Sequence, residues 1–451
     1  MRYMLGIVKT FRLALPKIGV GWMFAILTSN FNQIAIKDLA IPAILITVMI
    51  GLHHFLSPFQ IVWGRIADQH PIFGYRRTPY MLLGGLGASL VFVALPTVAV
   101  MMSNNLPFAN MLGFLLLITF GICIAAMGDT HHSLIAEVTT PKTRGGTIAV
   151  VWTFTIASGI ASAIVMKAVM GDVYDFEKMQ ALYSLTPAIV LISSVLGIVG
   201  IERRLKGEEL HATVAASKAA APSADPIGAA LGLLRGNTHV RAFFMFVFLS
   251  ILGIFLQDAI LEVFGRDVFN MTLRETTSFQ QVWGGGVLLG MLGIGVISMI
   301  FPLSKKLLAS LGGAGTAFGL GMLTLTALTQ QRALLNPALM VMGVSTGLFN
   351  VGALSMMMEM TVEGSTGLYM GLWGMAQAFG TGMASVISGT LRTVLIESNL
   401  LSAQVGYTAI FGLETVIMIV SVGILRAVSV DEFKGVTRED MTRAMEVGAV
   451  A

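Results

Sequence analysis

The sequence predicts an all-α polytopic membrane protein of twelve transmembrane helices, arranged as two pseudo-symmetric six-helix halves. Three observations predict it. The 451 residues are 55% hydrophobic and only 12% charged, against roughly 25% charged in a soluble domain, so there is too little polar surface to face water. The apolar residues fall into twelve runs, near 18–36, 40–63, 79–102, 109–136, 146–170, 184–201, 240–262, 281–302, 307–329, 334–358, 367–392 and 404–427. Each is close to the roughly 20 residues that cross a bilayer as a helix. The chain also repeats itself. Ser133-Leu-Ile-Ala-Glu137-Val-Thr139 matches Ser355-Met-Met-Met-Glu359-Met-Thr361 at an offset of 222, which carries Gly145 onto Gly367; Phe31 and Gln33 match Phe255 and Gln257 at 224. The breaks between runs are Gly/Pro and charge clusters without β alternation, which excludes a barrel.

The runs divide the chain into an N-terminal half (1–204), a linker (205–239), a C-terminal half (240–428) and a tail (429–451). The first 17 residues are basic, and the apolar run after them is a full span without a small-residue cleavage site, so it reads as helix 1 rather than a removed signal. With an even number of helices both termini share one side. That side collects 21 of the 28 Lys and Arg, from Arg2, Lys9, Arg12 and Lys17 through Arg76 and Arg77 to Arg426 and Arg443, and both termini are therefore expected to be cytoplasmic. No basic stretch is long or interleaved with stacking aromatics, so nucleic acid is not an expected partner. The linker is rich in Ala, Ser, Pro and charge. The pairs Gly286/Gly290, Gly315/Gly319, Gly343/Gly347 and Gly367/Gly371 have the small-xxx-small spacing of close helix packing. A single cysteine, Cys123, excludes an internal disulfide and a multi-cysteine metal site; no metal site is expected.

Between the second and third runs stands a charged break, Gly64-Arg65-Ile66-Ala67-Asp68 followed by Gly74-Tyr75-Arg76-Arg77. Gly64 lets two helices approach. Asp68 is placed to pair with a cation or cap the next helix, and the arginines suit the headgroup layer. This loop resembles the one between helices 2 and 3 of the major facilitator superfamily, which implies parallel six-helix repeats about a central cleft. The second half keeps only Lys305 and Lys306 of it. Glu137 and Glu359, ending matching helices, are expected to gate the cytoplasmic side or pair with Arg144, Arg65 or another basic group.

Ionised groups cost about 3 kcal/mol at mid-membrane, so the polar residues within the runs are the candidate site. Helix 1 and its exit carry Asn30, Asn32, Gln33, Lys37 and Asp38; the repeat-related helix 7 and its exit carry Gln257, Asp258, Glu262, Arg266 and Asp267. Helix 2 holds His53 and His54. In helix 4, Asp129, Ser133 and Glu137 form one stripe at i, i+4 and i+8, with His131 and His132 beside it. Helix 10 carries Asn350. A neutral imidazole is a good axial ligand for a metal in a macrocycle, and walls rich in Phe and Met suit a flat apolar pigment. His53, His54, His131 and His132, with Gln33 and Gln257, are thus the candidate pigment contacts; Asn32, Asp129, Asp258, Glu262 and Asn350 are candidates for a polar cavity. A histidine that only bridges helices is the alternative at each position. No Walker loop, Gly-x-Ser-x-Gly elbow, His-Glu-x-x-His or dinucleotide fingerprint stands in a supporting context, so enzymatic activity is not expected.

Longer stretches narrow the resemblance. Phe11-Arg12-Leu13, Gly19-Val20-Gly21-Trp22, Asn32 to Ile36, Leu39 to Ala43, Gly74 to Tyr80, Gln257 to Glu262, and Val268 to Met271 with Glu275-Thr276-Thr277 resemble the PucC family, the bacteriochlorophyll-delivery group of that superfamily. Val263-Phe264-Gly265-Arg266 departs from the family's usual Pro-Tyr-Gly-Gly. The resemblance implies a protein of a photosynthetic membrane, inner (cytoplasmic) or thylakoid. Such a protein binds chlorophyll or bacteriochlorophyll and passes it to light-harvesting or reaction-centre polypeptides, with pigment-synthesis enzymes as further partners. With two histidine pairs in the N-terminal half, the pigment is expected in a lateral groove there. The alternative is a proton-coupled secondary transporter of an amphipathic solute.

Overall fold

The computed structural model describes residues 2–56, 60–219, 232–301, 303–360, 366–430 and 433. Among these, eleven helices are long and apolar enough to cross a membrane. The expected span at 40–63 is met by the shorter apolar helix α4 (Ala43–Phe55) and by α5 (Gln60–Gln69), with 57–59 outside the described residues.

The first span, Gly6–Lys37, is pieced together from α1 (Arg2–Ala14), α2 (Pro16–Ala25), a π-helical stretch (Ile26–Phe31) and α3 (Asn32–Lys37). Pro16, which has no N–H for the helical ladder, restarts the helix at its first turn. The π stretch is held where Tyr183 Oη donates to Asn30 Oδ1 at 3.2 Å; such bulges recur at functional sites. The span begins earlier than the apolar run because a basic amphipathic turn continues as helix before the apolar core.

Next come α6 (Thr78–Ser103), α7 (Ala109–Val138), α8 (Pro141–Met170), α9 (Phe176–Ser184), α10 (Thr186–Ile198) and α11 (Gly207–Ala219). Their starts are chemically marked. Thr140 and Thr143 form a reciprocal cap on α8 ahead of Pro141, and the Asp175 carboxylate accepts from the N–H groups of Glu177 and Lys178 on α9. The expected linker therefore starts as helix α11, and 220–231 lie outside the described residues.

The expected seventh and eighth spans are redrawn. Helix α12 (Thr238–Phe255) stops at the polar pair Gln257-Asp258, where residues 256–260 form turns; α13 (Leu261–Phe269) and α14 (Leu273–Ile300) follow. Asp258 N–H donates to Phe255 O and Ile260 N–H to Gln257 O, while Gln257 Nε2 donates to Ile254 O at 3.1 Å. Tight turns thus replace the helical ladder where the side chains are polar. The last elements are α15 (Lys305–Thr329), α16 (Leu335–Glu359), α17 (Thr366–Arg392), a π turn (Thr393–Glu397) and α18 (Ala403–Leu425).

The described chain clusters into two compact units, residues 1–220 with 261–284, and 221–260 with 285–451. In the first, α7 packs on α4, α5 and α6, and α2 lies between α8 and α10, around a core that includes Trp22, Phe31, Phe92, Phe120 and Tyr183 and extends to Val263 and Leu273. In the second, α15 is gripped by α16 and α18, and α12 packs on α17 and α18. There the small-residue spacing brings backbones together: a Cβ on Gly290 would stand 2.1 Å from Val344 O, and one on Gly347 2.3 Å from Val287 O. Gly371 faces open space, so the spacing at 367/371 marks no such contact at Gly371.

Candidate functional site

The charged loop after α5 closes into a four-residue cluster in the first unit. Arg77, 5% exposed, donates to Asp68 Oδ1 at 2.6 Å and to Glu137 Oε1 at 2.8 and 2.9 Å; Arg76 reaches the same oxygens at 3.2 Å each. One buried guanidinium thus ties the end of α5 to the end of α7, a charge-assisted arrangement. Of the partners expected for Glu137, another basic group is the one taken, Arg77 with Arg76; Arg144 donates to Ala136 O instead, and Arg65 is exposed with no ion pair among the described residues. Gly64 leaves room for Asp129, whose Oδ2 would lie 2.9 Å from a Cβ at that position and has no hydrogen-bond partner. Glu202 goes unnoticed in the sequence, although it is the one acid in Glu202-Arg203-Arg204. Its carboxylate accepts from the N–H groups of Arg76, Arg77 and Thr78 at 2.7 to 2.9 Å, capping α6. Gly74, at φ +82, passes so close to Leu205 O that a Cβ would meet it at 2.4 Å.

At the far end of the first span, Arg266 forks onto Asp38, and Lys37 pairs with Asp267. Next to them Gln33 is spent: Thr276 Oγ1 donates to its Oε1 at 2.6 Å and its Nε2 reaches Thr277 Oγ1 at 3.4 Å. Asn32 and Glu262 are buried. The sequence marked these residues as polar in apolar helices without showing that they meet.

The four histidines differ in what their rings can still give. His53 Nδ1 lies 2.5 Å from Ile50 O, and its Nε2 is buried with no partner. That ring is enclosed by Phe24 and Phe120 at 5.4 and 5.3 Å and by His54 at 3.8 Å between centroids, so it has a free nitrogen without space for a macrocycle. His131 Nε2 is 2.7 Å from Leu13 O, which makes it a bridge from α7 to α1. His54 is half-buried and His132 exposed. Of the four, His132 combines access with an imidazole uncommitted to any hydrogen bond among the described residues, and its donor chemistry fits an axial ligand. Lys17, counted with the basic flank, is 8% exposed.

In the second unit Gln257 and Asp258 sit in the break after α12, with Gln257 Oε1 buried and unpaired. Asn350 is half-buried on α16, and Glu359 at the end of that helix pairs with Lys305, the counterpart of Glu137 with its arginines. Sequence reasoning missed Glu414 of α18, which is 0% exposed with neither carboxyl oxygen hydrogen-bonded; a carboxylate in the last apolar run is the signal that marks it.

A family model described as PUCC protein matches residues 30–433. The "Bacteriochlorophyll synthase 44.5 kDa chain" of Rhodobacter capsulatus is 29% identical over 431 residues, covering 92% of this chain and 94% of the relative. "Protein PucC" of Cereibacter sphaeroides is 25% identical, covering 93% and 92%, and that of Rhodovulum sulfidophilum 23%, covering 85% of each. Among solved structures, a POT family transporter in complex with 5-aminolevulinic acid superposes with a TM-score of 0.68 at 15% identity, covering 94% of this chain and 96% of that one. The nucleoside transporter NupG gives 0.60 at 14%, covering 92% and 98%. At such identities the likeness shows the fold alone, an all-helical membrane bundle like that of these transporters.

Proposed function

The chain belongs to the PUCC protein family, and on that premise we propose that it is an assembly factor of a photosynthetic membrane that binds chlorophyll or bacteriochlorophyll and hands it to light-harvesting or reaction-centre polypeptides. Pigment-synthesis enzymes stand upstream in this reading, and both termini face the cytoplasm. The observation that carries it is similarity along nearly the whole chain to relatives named PucC and to one named for bacteriochlorophyll synthesis. His132 supports it from the protein's side. An imidazole nitrogen would hold the magnesium of such a pigment, and His132 offers one at an exposed position. No bond of the cargo is made or broken here; the work is binding and release.

The test is the absorption spectrum of the gently purified native protein, followed by pigment stoichiometry in His53→Ala, His54→Ala, His131→Ala and His132→Ala. Loss of pigment in His132→Ala with the fold intact is expected. Full pigment in all four variants sinks ligation by these residues, and a wild type without any tetrapyrrole sinks the reading.

One observation favours the transporter alternative. Glu414 is a buried carboxyl with both oxygens unpaired, so it can gain or lose a proton without breaking a bond in the fold. Solute-driven proton uptake in proteoliposomes that disappears in Glu414→Gln would select that reading.

A further inference from the structure

On the second unit, a groove of about 640 Å³ runs between α15 and α18, helices that pack along one another. That volume lies within the range of about 300–1,000 Å³ that holds one ligand. Small residues make the room. Ala314, Ala317 and Gly321 line it from α15 and Gly423 from α18; a Cβ on Gly321 would come no nearer than 3.9 Å to Thr415, and one on Gly423 would have nothing within 4 Å. Phe318, Leu325 and Ile419 also line it and are exposed, as apolar side chains are where a membrane-spanning helix meets acyl chains. Thr415 is the one hydroxyl in the lining, and it donates to Phe411 O at 2.9 Å. From Ala314 to Leu325 and from Thr415 to Arg426, the lining extends for about 16 Å at the helical rise, roughly the depth of one leaflet. One end is charged. Arg426 stands there, exposed and without an ion pair among the described residues. The two lysines at the facing start of α15 are committed elsewhere: Lys306 Nζ donates to Arg426 O and Val428 O at 3.2 and 2.6 Å, and Lys305 pairs with Glu359. No acid and no histidine is among the lining residues.

We propose that this groove seats an anionic phospholipid, with one acyl chain between α15 and α18 and the headgroup phosphate on Arg426. The guanidinium presents a planar fork of donors that matches two phosphate oxygens, and no acid in the lining opposes the anion. A basic group at the mouth of a groove between two spans is the arrangement that recognises an anionic headgroup. An arginine that only anchors the helix end at the interface takes any headgroup, so selectivity for the anion is what separates a lipid site from an anchor. The lining has no group to hold a magnesium, which makes the lipid seat independent of the pigment contacts in the first unit.

Native mass spectrometry of the purified full chain, titrated with dioleoylphosphatidylglycerol and separately with dioleoylphosphatidylcholine, counts the lipid retained. A preference of about fivefold or more for phosphatidylglycerol is expected, the factor that one basic group near an anionic headgroup supplies. Arg426→Gln should erase the preference, and Arg426→Lys should keep part of it, because an ammonium retains the charge without the fork. Gly321→Leu puts a side chain into the open groove and should expel lipid of either headgroup, while the better helix former preserves the fold. Equal retention of the two lipids, a preference that survives Arg426→Gln, or full retention in Gly321→Leu overturns the proposal. Displacement of phosphatidylglycerol by inorganic phosphate at equal concentration would make Arg426 a bare anion site, and dimers that Gly321→Leu dissociates would make a second copy of the chain the occupant; either result also overturns it.

Discussion

Arg266 grips Asp38 with two parallel hydrogen bonds, Nη1 to Oδ2 at 2.6 Å and Nη2 to Oδ1 at 2.8 Å, across 228 positions of sequence. Both side chains are about one-sixth exposed, so the pair is partly shielded from water and screening is weak. A planar guanidinium matches a carboxylate in this way and an ammonium does not. Arg266→Lys should therefore lose about 1 to 2 kcal/mol of stability and Asp38→Ala about 2 kcal/mol or more, since each leaves a partly buried charge without its match. Thermal unfolding in detergent of both singles and the double variant checks this. Additive losses in the double would show that the two side chains are not coupled.

The Arg77 cluster makes a second prediction. Asp68→Ala leaves Arg77 with Glu137 alone, and Glu137→Ala leaves it with Asp68 alone. Because both carboxylates are 30% exposed, each single loss should be modest, about 1 kcal/mol, and the double change should lose more than the sum. Unchanged melting in the double variant would refute the tie between α5 and α7.

Glu202 holds three backbone N–H groups, and the N-cap residue Arg77 makes no side-chain cap of its own. Glu202→Ala should cost about 1 to 2 kcal/mol, the range for a lost N-terminal cap. Glu202→Gln, which keeps one acceptor oxygen, should recover part of it. Hydrogen exchange at residues 76–78 reads the effect directly: faster exchange in Glu202→Ala is expected, and unaltered protection would exclude the cap.

His131 and His132 separate structure from binding. His131→Ala removes the bridge to Leu13 O and should lower stability by about 1 to 2 kcal/mol while pigment stoichiometry stays unchanged. His132→Ala should do the reverse. If His131→Ala strips pigment from a folded protein, the division of roles between the two rings is wrong.

Gly290 tests the helix packing of the second unit. With Val344 O only 2.1 Å from the position of a Cβ, Gly290→Ala forces α14 and α16 apart and should cost about 1 to 3 kcal/mol, the usual range for overpacking. Gly371→Ala, in open space, should be neutral or slightly stabilising because it favours the helix. Equal melting temperatures for the two variants would contradict the close approach.

Much was legible in the linear sequence because the bilayer imposes local rules. A span needs its own run of about twenty apolar residues, and it marks its ends with charge, so helix number, order and most boundaries follow from windows of that length. The loop motif, the repeat at offset 222 and the list of polar residues inside apolar runs are likewise one-dimensional signals. The tertiary structure decided which of those polar groups meet. It gave Glu137 to Arg77 rather than Arg144 and spent Gln33 on Thr276 and Thr277. It broke the helix after Phe255 within an apolar run that reads as continuous, and it buried Lys17, which the sequence places in the basic flank. These outcomes depend on contacts between positions dozens to hundreds of residues apart. Their energies are set by burial and distance, which composition and periodicity do not encode.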